Sequence, residues 1–471
     1  MMDCNVNLRM LVMEMLLTEN AYSHVIVRDV LNKYNYLTQQ EKSFIKRLYE
    51  GTLERQITLD YVINEFSKVK TQKMKKVIRV IMRMGVYQIL YMDAVPDAAA
   101  CNEAVKLAQK KGFSTLKGFV NGVLRNIARN KETIVYTSLP VKYSMPEWIV
   151  DMWTAQLGPE KTELVLAGLL RERPVTLRFR DVPEITGVDF GSAVTAVQEA
   201  IVRQGGKMER HPYLPCAYRV SGTDDITRLP YYENGAFVIQ DVSSMLAVTA
   251  VGIEKIASGS GSNPLRVLDL CAAPGGKSML VADMLEKCDV NYAVISRDIS
   301  ENKILLMQEN FDRCGLHRTT AAVADACVKQ DELAGTADIV IADVPCSGLG
   351  VIGRKRDIKY NITPEAVADI IELQRKILQV AVSYVKPGGR LLFSTCTINT
   401  DENEKNFMWL KNEMKMTPVS LDDALPECLH TDNTRDGYLQ LLPGIHDTDG
   451  FFISVFEASE AQDWKGIKTW T

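Results

Sequence analysis

Hydrophobic positions along this chain change their period between its two halves. From Leu8 to about residue 135 they recur every three to four residues, as in the stripes Leu8, Leu11, Val12, Met15, Leu16 and Val77, Ile81, Met84. That spacing predicts amphipathic helices with one buried face. Thr38 with Glu41 has the spacing of a capping box and opens a long helix through Phe44, Ile45, Leu48 and Leu53. Segments Asp97 to Lys110 and Leu116 to Arg129 complete a bundle of about five or six helices.

Pro140 and Pro146 interrupt this pattern, and Trp148, Ile149, Met152 and Trp153 then supply an apolar helix face. From Glu160 the pattern is mixed: a helix through Leu170, a strand near Val175 to Phe179, a helix ending near Val202 and a strand around Tyr218 to Val220. Ser258 to Asn263, S-G-S-G-S-N, has the composition of an exposed loop. Beyond it, short apolar runs alternate with helical stretches: strands at Tyr292 to Ile295, Thr320 to Ala324, Ile339 to Ala342 and Arg390 to Ser394, and helices at Glu301 to Cys314 and Pro364 to Val385. Such alternation predicts an α/β domain, Rossmann-like, on a mostly parallel sheet. The expected organisation is an all-helical domain over 1–138, a linker helix with a small α+β subdomain over 139–233, and the α/β domain over 234–471.

The α/β half is organised around Leu265 to Ser278, L-R-V-L-D-L-C-A-A-P-G-G-K-S. An apolar strand carrying Asp269 breaks at Pro274, Gly275 and Gly276 before a helix, the pattern of a cofactor seat at the carboxyl end of a central strand. Asp298, 22 residues beyond Gly276, stands where an acid gripping ribose hydroxyls is expected, and Asp325, after the next strand, can accept from an exocyclic amine. Taken singly, each acid is equally at home as a cap or turn residue. A P-loop would need glycine where Cys271 stands, and a dinucleotide loop would need G-x-G-x-x-G, which Ala272-Ala273-Pro274-Gly275-Gly276 lacks. S-adenosylmethionine remains, seated on Cys271, Ala272, Ala273, Pro274, Gly275, Gly276 and Lys277.

Composition narrows the class. At 471 residues with 46% hydrophobic content the chain is long enough for about three domains. It has no apolar run of the roughly 18 residues a membrane helix needs, and its N-terminus, broken by Asp3, Arg9 and Glu14, lacks a signal-peptide core; a cytoplasmic protein is expected. Ten cysteines without a C-x-x-C pair, and five histidines without an H-x-x-x-H pair, favour neither structural zinc, a disulfide framework nor any other metal. The net charge of −4 conceals an asymmetry: through Pro140 there are 21 Lys/Arg against 13 Asp/Glu, leaving 34 against 46 for the rest. A basic module on an acidic protein suggests a local nucleic-acid grip, although a solvated helical face gives the same count.

Two cysteines follow predicted strands: Cys346 in D-V-P-C-S-G-L-G (Asp343 to Gly350) and Cys396 in S-T-C-T. If those strands are neighbours, their ends lie about 5 Å apart and both thiols face one pocket. Thiols suit covalent activation of an electron-poor ring carbon. Asp343, at the same edge, is placed to hydrogen-bond a base.

These motifs carry a resemblance. V-P-D-A-A-A-C-N-E-A-V-K-L-A (Val95 to Ala108) and F-V-N-G-V-L-R-N-I (Phe119 to Ile127) resemble the NusB-like RNA-binding domain that precedes the methyltransferase in the bacterial RsmB (Sun/Fmu) family. D-L-C-A-A-P-G-G-K resembles the cofactor loop of RNA cytosine-C5 methyltransferases, and G-A-F-V-I-Q-D-V-S-S-M-L (Gly235 to Leu246) resembles that family's approach to its catalytic domain. D-G-F-F-I-S-V-F (Asp449 to Phe456) resembles its last strand. The resemblance implies methylation of carbon 5 of a cytosine in 16S ribosomal RNA, with Cys396 as nucleophile on carbon 6, Cys346 assisting release and Asp343 beside base and cofactor. RNA is then the expected partner, with no DNA and no membrane, for a monomeric enzyme. The same chemistry on tRNA, or a non-catalytic RNA-binding assembly factor, are the alternatives. The chain departs from the family in Arg178-Phe179-Arg180, where Arg-Val-Asn is usual, in Glu457, where a basic residue follows the last strand, and in Gly353 to Lys359, G-R-K-R-D-I-K. This last, basic stretch is expected to hold phosphates near the thiols. The acidic tail from Asp401 is expected to face away from RNA.

Overall fold

The computed structural model describes residues 6–18, 22–171, 173–223, 225–261 and 263–459. They form two compact units: Met1–Arg171 with Ile352–Asn361, and Glu172–Val351 with Ile362–Thr471. The linker helix over residues 148–153 thus lies in the first unit and the small α+β sheet in the second.

The first unit opens with seven helices: α1 (Leu8–Leu17), α2 (Ser23–Lys33), α3 (Gln39–Glu54), α4 (Gln56–Phe66), α5 (Lys76–Tyr91), α6 (Asp97–Lys110) and α7 (Lys117–Asn130). Helix α5 is the hub, burying Ile78, Ile81, Met82, Met84, Val86 and Ile89. The expected capping box forms, with Thr38 accepting from the Glu41 amide and Glu41 reaching back to Thr38. Of the basic cluster before and on α5, Lys68, Lys70, Lys73, Lys75 and Lys76 are exposed, whereas Arg83 forks onto Asp60.

The segment Ile352–Asn361 belongs to this helical unit. Arg356 pairs with Glu50 at 2.8 Å and Glu54 at 3.1 Å, one turn apart on α3. Asp357 accepts from the amide and hydroxyl of Ser23. Lys359 is buried, donating to the carbonyls of Glu54 and Ser144, and burial pushes its pKa down to about 7. This removes two residues from the phosphate-holding role expected of the stretch: Arg356 and Lys359 are spent on carboxylates and carbonyls that the local sequence does not reveal, while Arg354 and Lys355 are exposed.

The second unit holds two sheets. Strands β1 (Val175–Phe179), β2 (Lys207–Arg210), β3 (Ala217–Ser221) and β4 (Phe237–Ile239) form an antiparallel sheet in the order β2-β3-β1-β4. The G-A-F-V-I stretch therefore completes the small sheet. Residues 258–259 of the serine-glycine stretch end a short helix, Gly261 and Asn263 are exposed, and Ser262 lies outside the described residues.

Strands β5 (Leu265–Asp269), β6 (Tyr292–Asp298), β7 (Thr319–Val323), β8 (Ala337–Asp343), β9 (Val385–Thr395), β10 (Thr417–Pro418), β11 (Tyr438–Leu441) and β12 (Phe451–Glu457) form the large sheet. Its order is β10-β12-β9-β8-β5-β6-β7, with β11 also on β12. Pairings from β9 to β7 are parallel, and those of β12 are antiparallel. This is a Rossmann-like sheet with an antiparallel edge. Val267, Ile339, Ile341 and Leu392 face one core, while Leu268, Val340, Leu391 and Phe393 face the other, as the two-residue strand period requires. The order reverses between β5 and β8, which opens a crevice at their carboxyl ends. Among the described residues, no helix is long and apolar enough to cross a membrane.

Candidate functional site

The chain leaves β5 at Asp269, turns through Cys271–Gly275 and enters the helix Gly276–Lys287. Gly275 has φ +97°, and a Cβ there would lie 3.0 Å from the Phe311 ring. The turn therefore needs glycine. It is fastened by Ala272 N–H to the Arg297 carbonyl and Gly275 N–H to the Ala272 carbonyl. Beneath it Asp269 is fully buried. Its Oδ2 accepts from Ser278 Oγ at 2.7 Å, Oδ1 has no hydrogen-bond partner among the described residues, and burial pushes the carboxyl up to about pKa 7.

Asp298 closes β6 and Asp325 follows β7, both at the same sheet edge. Each spends Oδ1 locally, on the Ser300 amide and the Cys327 amide. Ile299, beside Asp298, is 69% exposed and offers an apolar face at the crevice. Sequence reading missed it, because a lone exposed isoleucine carries no motif.

Strands β8 and β9 are paired neighbours, with Asp343 opposite Ser394. That register carries Cys346 and Cys396 out of adjacent strand ends, and their sulfurs stand 3.1 Å apart. The hydrogen bond with Cys396, reinforced by burial, pushes the Cys346 thiol well above its ordinary pKa. Asp343 joins the thiols to the cofactor loop: Oδ2 accepts from Lys277 Nζ at 2.6 Å and Oδ1 from Ser394 Oγ at 2.8 Å. The Lys277 ammonium also lies over the Phe451 ring.

The acidic tail contributes to this edge rather than turning wholly away from it. Glu402 is fully buried and accepts from the amide and hydroxyl of Ser347. Its signal in the sequence is one acid among many. Gly350 and Gly450 were missed likewise; their backbones cross so closely that a Cβ on Gly350 would lie 2.1 Å from the Gly450 carbonyl oxygen.

Arg178 and Arg180 point inward. Both pair with the buried Asp283, and Arg180 also donates to the carbonyls of Gly235 and Cys314. Burial alone would raise the Asp283 pKa, but the two guanidiniums hold it below the ordinary value. With its side chain fully enclosed, Arg180 is a structural fastener between the small sheet and the helix Gly276–Lys287.

A family model described as 16S rRNA methyltransferase RsmB/F matches residues 261–457, and one for the NusB family matches residues 7–129. A protein of Bacillus subtilis named probable ribosomal RNA small subunit methyltransferase B is 33% identical over 443 residues, spanning 92% of this chain and 94% of that protein. The chain belongs to this family. A second relative of the same name, from Synechocystis, is 29% identical, with 92% and 95% covered. Among solved structures, that of PH0851 superposes with a TM-score of 0.74 at 22% identity, covering 96% and 98% of the two chains. NSun6 from Pyrococcus horikoshii with SFG superposes with 0.54 at 19% identity, covering 68% and 99%. Both share the fold.

Family membership makes the chain an S-adenosylmethionine-dependent ribosomal RNA methyltransferase with a NusB-like helical domain. Its residues fit that cofactor: a turn stripped of side chain at Gly275, a carboxylate at Asp298 whose contacts among the described residues, the Ser300 amide and Lys303, both fall on Oδ1, and an exposed apolar face at Ile299 all lie on one sheet edge.

Proposed function

We propose that this chain methylates carbon 5 of a cytosine in small-subunit ribosomal RNA through a transient bond between Cys396 and carbon 6. The observation that carries this reading is the pair of thiols 3.1 Å apart at the ends of β8 and β9, beside an aspartate tied to the cofactor loop. The loop Cys271–Lys277, Asp298 and Asp325 would hold the cofactor with Asp343 beside it. When bound, S-adenosylmethionine supplies an electrophilic methyl group.

Cytosine carbon 5 is a weak nucleophile until a thiolate adds to carbon 6, which places electron density on carbon 5. Either thiol can donate across the 3.1 Å contact; in this reading Cys346, held above its ordinary pKa, is the donor, and its S–H steadies a thiolate on Cys396 after that residue's proton has passed to solvent. Asp343, steadied by Lys277 and Ser394, is placed to accept from the base while the adduct exists. Once Cys396 is a neutral thioether, the largest of the causes that raise the Cys346 pKa is gone. Cys346 then releases its proton to solvent and, as a thiolate, takes the carbon 5 proton. The electrons of that C–H bond restore the C5–C6 double bond and expel the Cys396 thiolate. The target cytosine has to be unpaired or flipped to reach these groups, and the exposed lysines before α5 give the helical unit, taken by itself, a surface suited to RNA phosphates.

Cys396→Ala should abolish both methylation and the covalent RNA adduct, and Cys346→Ala should accumulate the adduct as a band retarded on denaturing gels. Methylation retained in Cys396→Ala would overturn the assignment. Parallel reactions with protein-free small-subunit RNA and tRNA, mapped by bisulfite, separate the substrates. RNA binding without 5-methylcytosine in either would indicate a binding factor.

A further inference from the structure

The two thiol-bearing loops share a buried anchor that lies outside both motifs. Glu402 has no solvent exposure. Its Oε1 accepts from the Ser347 amide at 2.8 Å and from Gln374 Nε2 at 3.3 Å. Its Oε2 accepts from Ser347 Oγ at 2.6 Å, Asn399 Nδ2 at 3.1 Å and Thr397 Oγ1 at 3.3 Å. Ser347 follows Cys346, and Thr397 follows Cys396. The two hydroxyls also meet each other at 2.9 Å. Gln374 grips the other flank of Cys346 through the Pro345 carbonyl at 3.0 Å and is itself oriented by Asn406.

One carboxylate thus ties residues adjacent to both thiols, and among the described residues every hydrogen bond it accepts comes from a neutral donor. A buried carboxylate without a cationic partner costs folding free energy, whereas a packed apolar side chain would fill the same space at less cost. Its donors give the reason for its presence: they come from two loops whose backbones meet at either end, through Val344 N–H to the Ser394 carbonyl and Gly350 N–H to the Cys396 carbonyl, with side chains bridging the stretch between. We infer that Glu402 is a positioning residue, a clamp that holds the Cys346 loop against the Cys396 loop so that the two sulfurs face each other at reacting distance. The inference rests on the proposed roles of the two cysteines, and it adds that their spacing is set from a distance by a side chain that touches neither RNA nor cofactor.

Phenylarsine oxide reads the spacing without catalysis. It binds two thiols at once, forming two As–S bonds while its oxygen leaves as water with both thiol protons. Cys346→Ala and Cys396→Ala should each lose tight binding of the arsenical, which isolates this pair from the other cysteines. In Glu402→Ala, arsenical affinity should fall about tenfold or more, and kcat should fall on the order of 100-fold, the effect of displacing a reacting group by about 1 Å. The KM for S-adenosylmethionine should stay within about twofold of wild type. Glu402→Gln, which preserves the shape and one acceptor, should recover most of both losses. Ser347→Ala removes one arm of the clamp in a milder background and should show the same pattern at smaller size, so the inference survives a Glu402→Ala that fails to fold. Wild-type arsenical affinity and kcat in Glu402→Ala, or in Ser347→Ala should the former not fold, would overturn the clamp. So would a loss confined to melting temperature. If Cys396→Ala still methylates RNA, the catalytic reading fails instead, and the arsenical result still reports on the clamp.

Discussion

The cofactor loop and the thiol pair occupy the same edge of one sheet but are built by different means. Between Asp269 and Lys277 the shape is local: a strand end, a glycine at φ +97° and a helix start lie within nine consecutive residues. Around Cys346 and Cys396 the shape is assembled over distance, from two strands in register, a buried carboxylate, a glutamine on the helix Pro364–Tyr384 and two glycines a hundred residues apart. Local geometry is written in adjacent residues and travels as a motif. Assembled geometry depends on partners that the sequence does not place side by side.

If that contrast holds, damage on the thiol side should slow chemistry and spare cofactor affinity, with the reverse on the loop side. The largest effect is expected at Gly350. A Cβ there would meet the Gly450 carbonyl oxygen at 2.1 Å and the Cys396 carbonyl oxygen at 2.8 Å, both backbone atoms, so the loops have to part. Gly350→Ala should lower kcat on the order of 100-fold and stability by about 1–3 kcal/mol, with S-adenosylmethionine affinity within about twofold by calorimetry. A tenfold loss of that affinity would show that the two sides are not separable.

The same contrast explains what sequence reading recovers. The parallel strands, the helix Pro364–Tyr384, the capping box at Thr38 and the order of motifs along the edge all follow from period and local chemistry. Neighbouring β8 and β9, on which the pairing of the thiols depends, are as anticipated. Long-range burial is what remained hidden. Gly353 to Lys359 advertises positive charge, but Glu50 and Glu54 claim Arg356, and Lys359 is enclosed. Arg180 stands where the family usually has asparagine, and nothing in the adjacent sequence shows that Asp283 receives it. Glu402 sits in an acidic tail that reads as solvated, because charge counts do not distinguish a buried acid from its exposed neighbours.

A pH-dependent test addresses the floor of the cofactor loop. Asp269 titrates near 3.8 when unperturbed and is pushed to about 7 by burial in the folded protein. Between those values the folded state holds a proton that the unfolded state has released, so this group's contribution to stability falls as pH rises and levels off above about 7. Relative to Asp269→Asn, wild type should lose roughly 2 kcal/mol of unfolding free energy between pH 5.5 and pH 8, measured by urea titration without cofactor. Parallel pH curves for the two proteins would mean that Asp269 ionises normally despite its unpartnered Oδ1.

The smallest effect is expected at Gly275, where the loop side can be perturbed alone. Alanine at φ +97° is strained, and its Cβ would press the Phe311 ring at 3.0 Å and Met307 at 3.4 Å, both side chains able to yield. The cost to stability should therefore be about 1–2 kcal/mol, paired with a loss of S-adenosylmethionine affinity of about tenfold. The thiols lie across the crevice and are held by Glu402, so arsenical affinity and the amount of RNA adduct trapped in a Cys346→Ala background should match the unsubstituted loop. A fall in arsenical affinity in Gly275→Ala would point to the Lys277–Asp343–Ser394 chain, the bonded path from this loop to β9, as a link that transmits strain to the thiols.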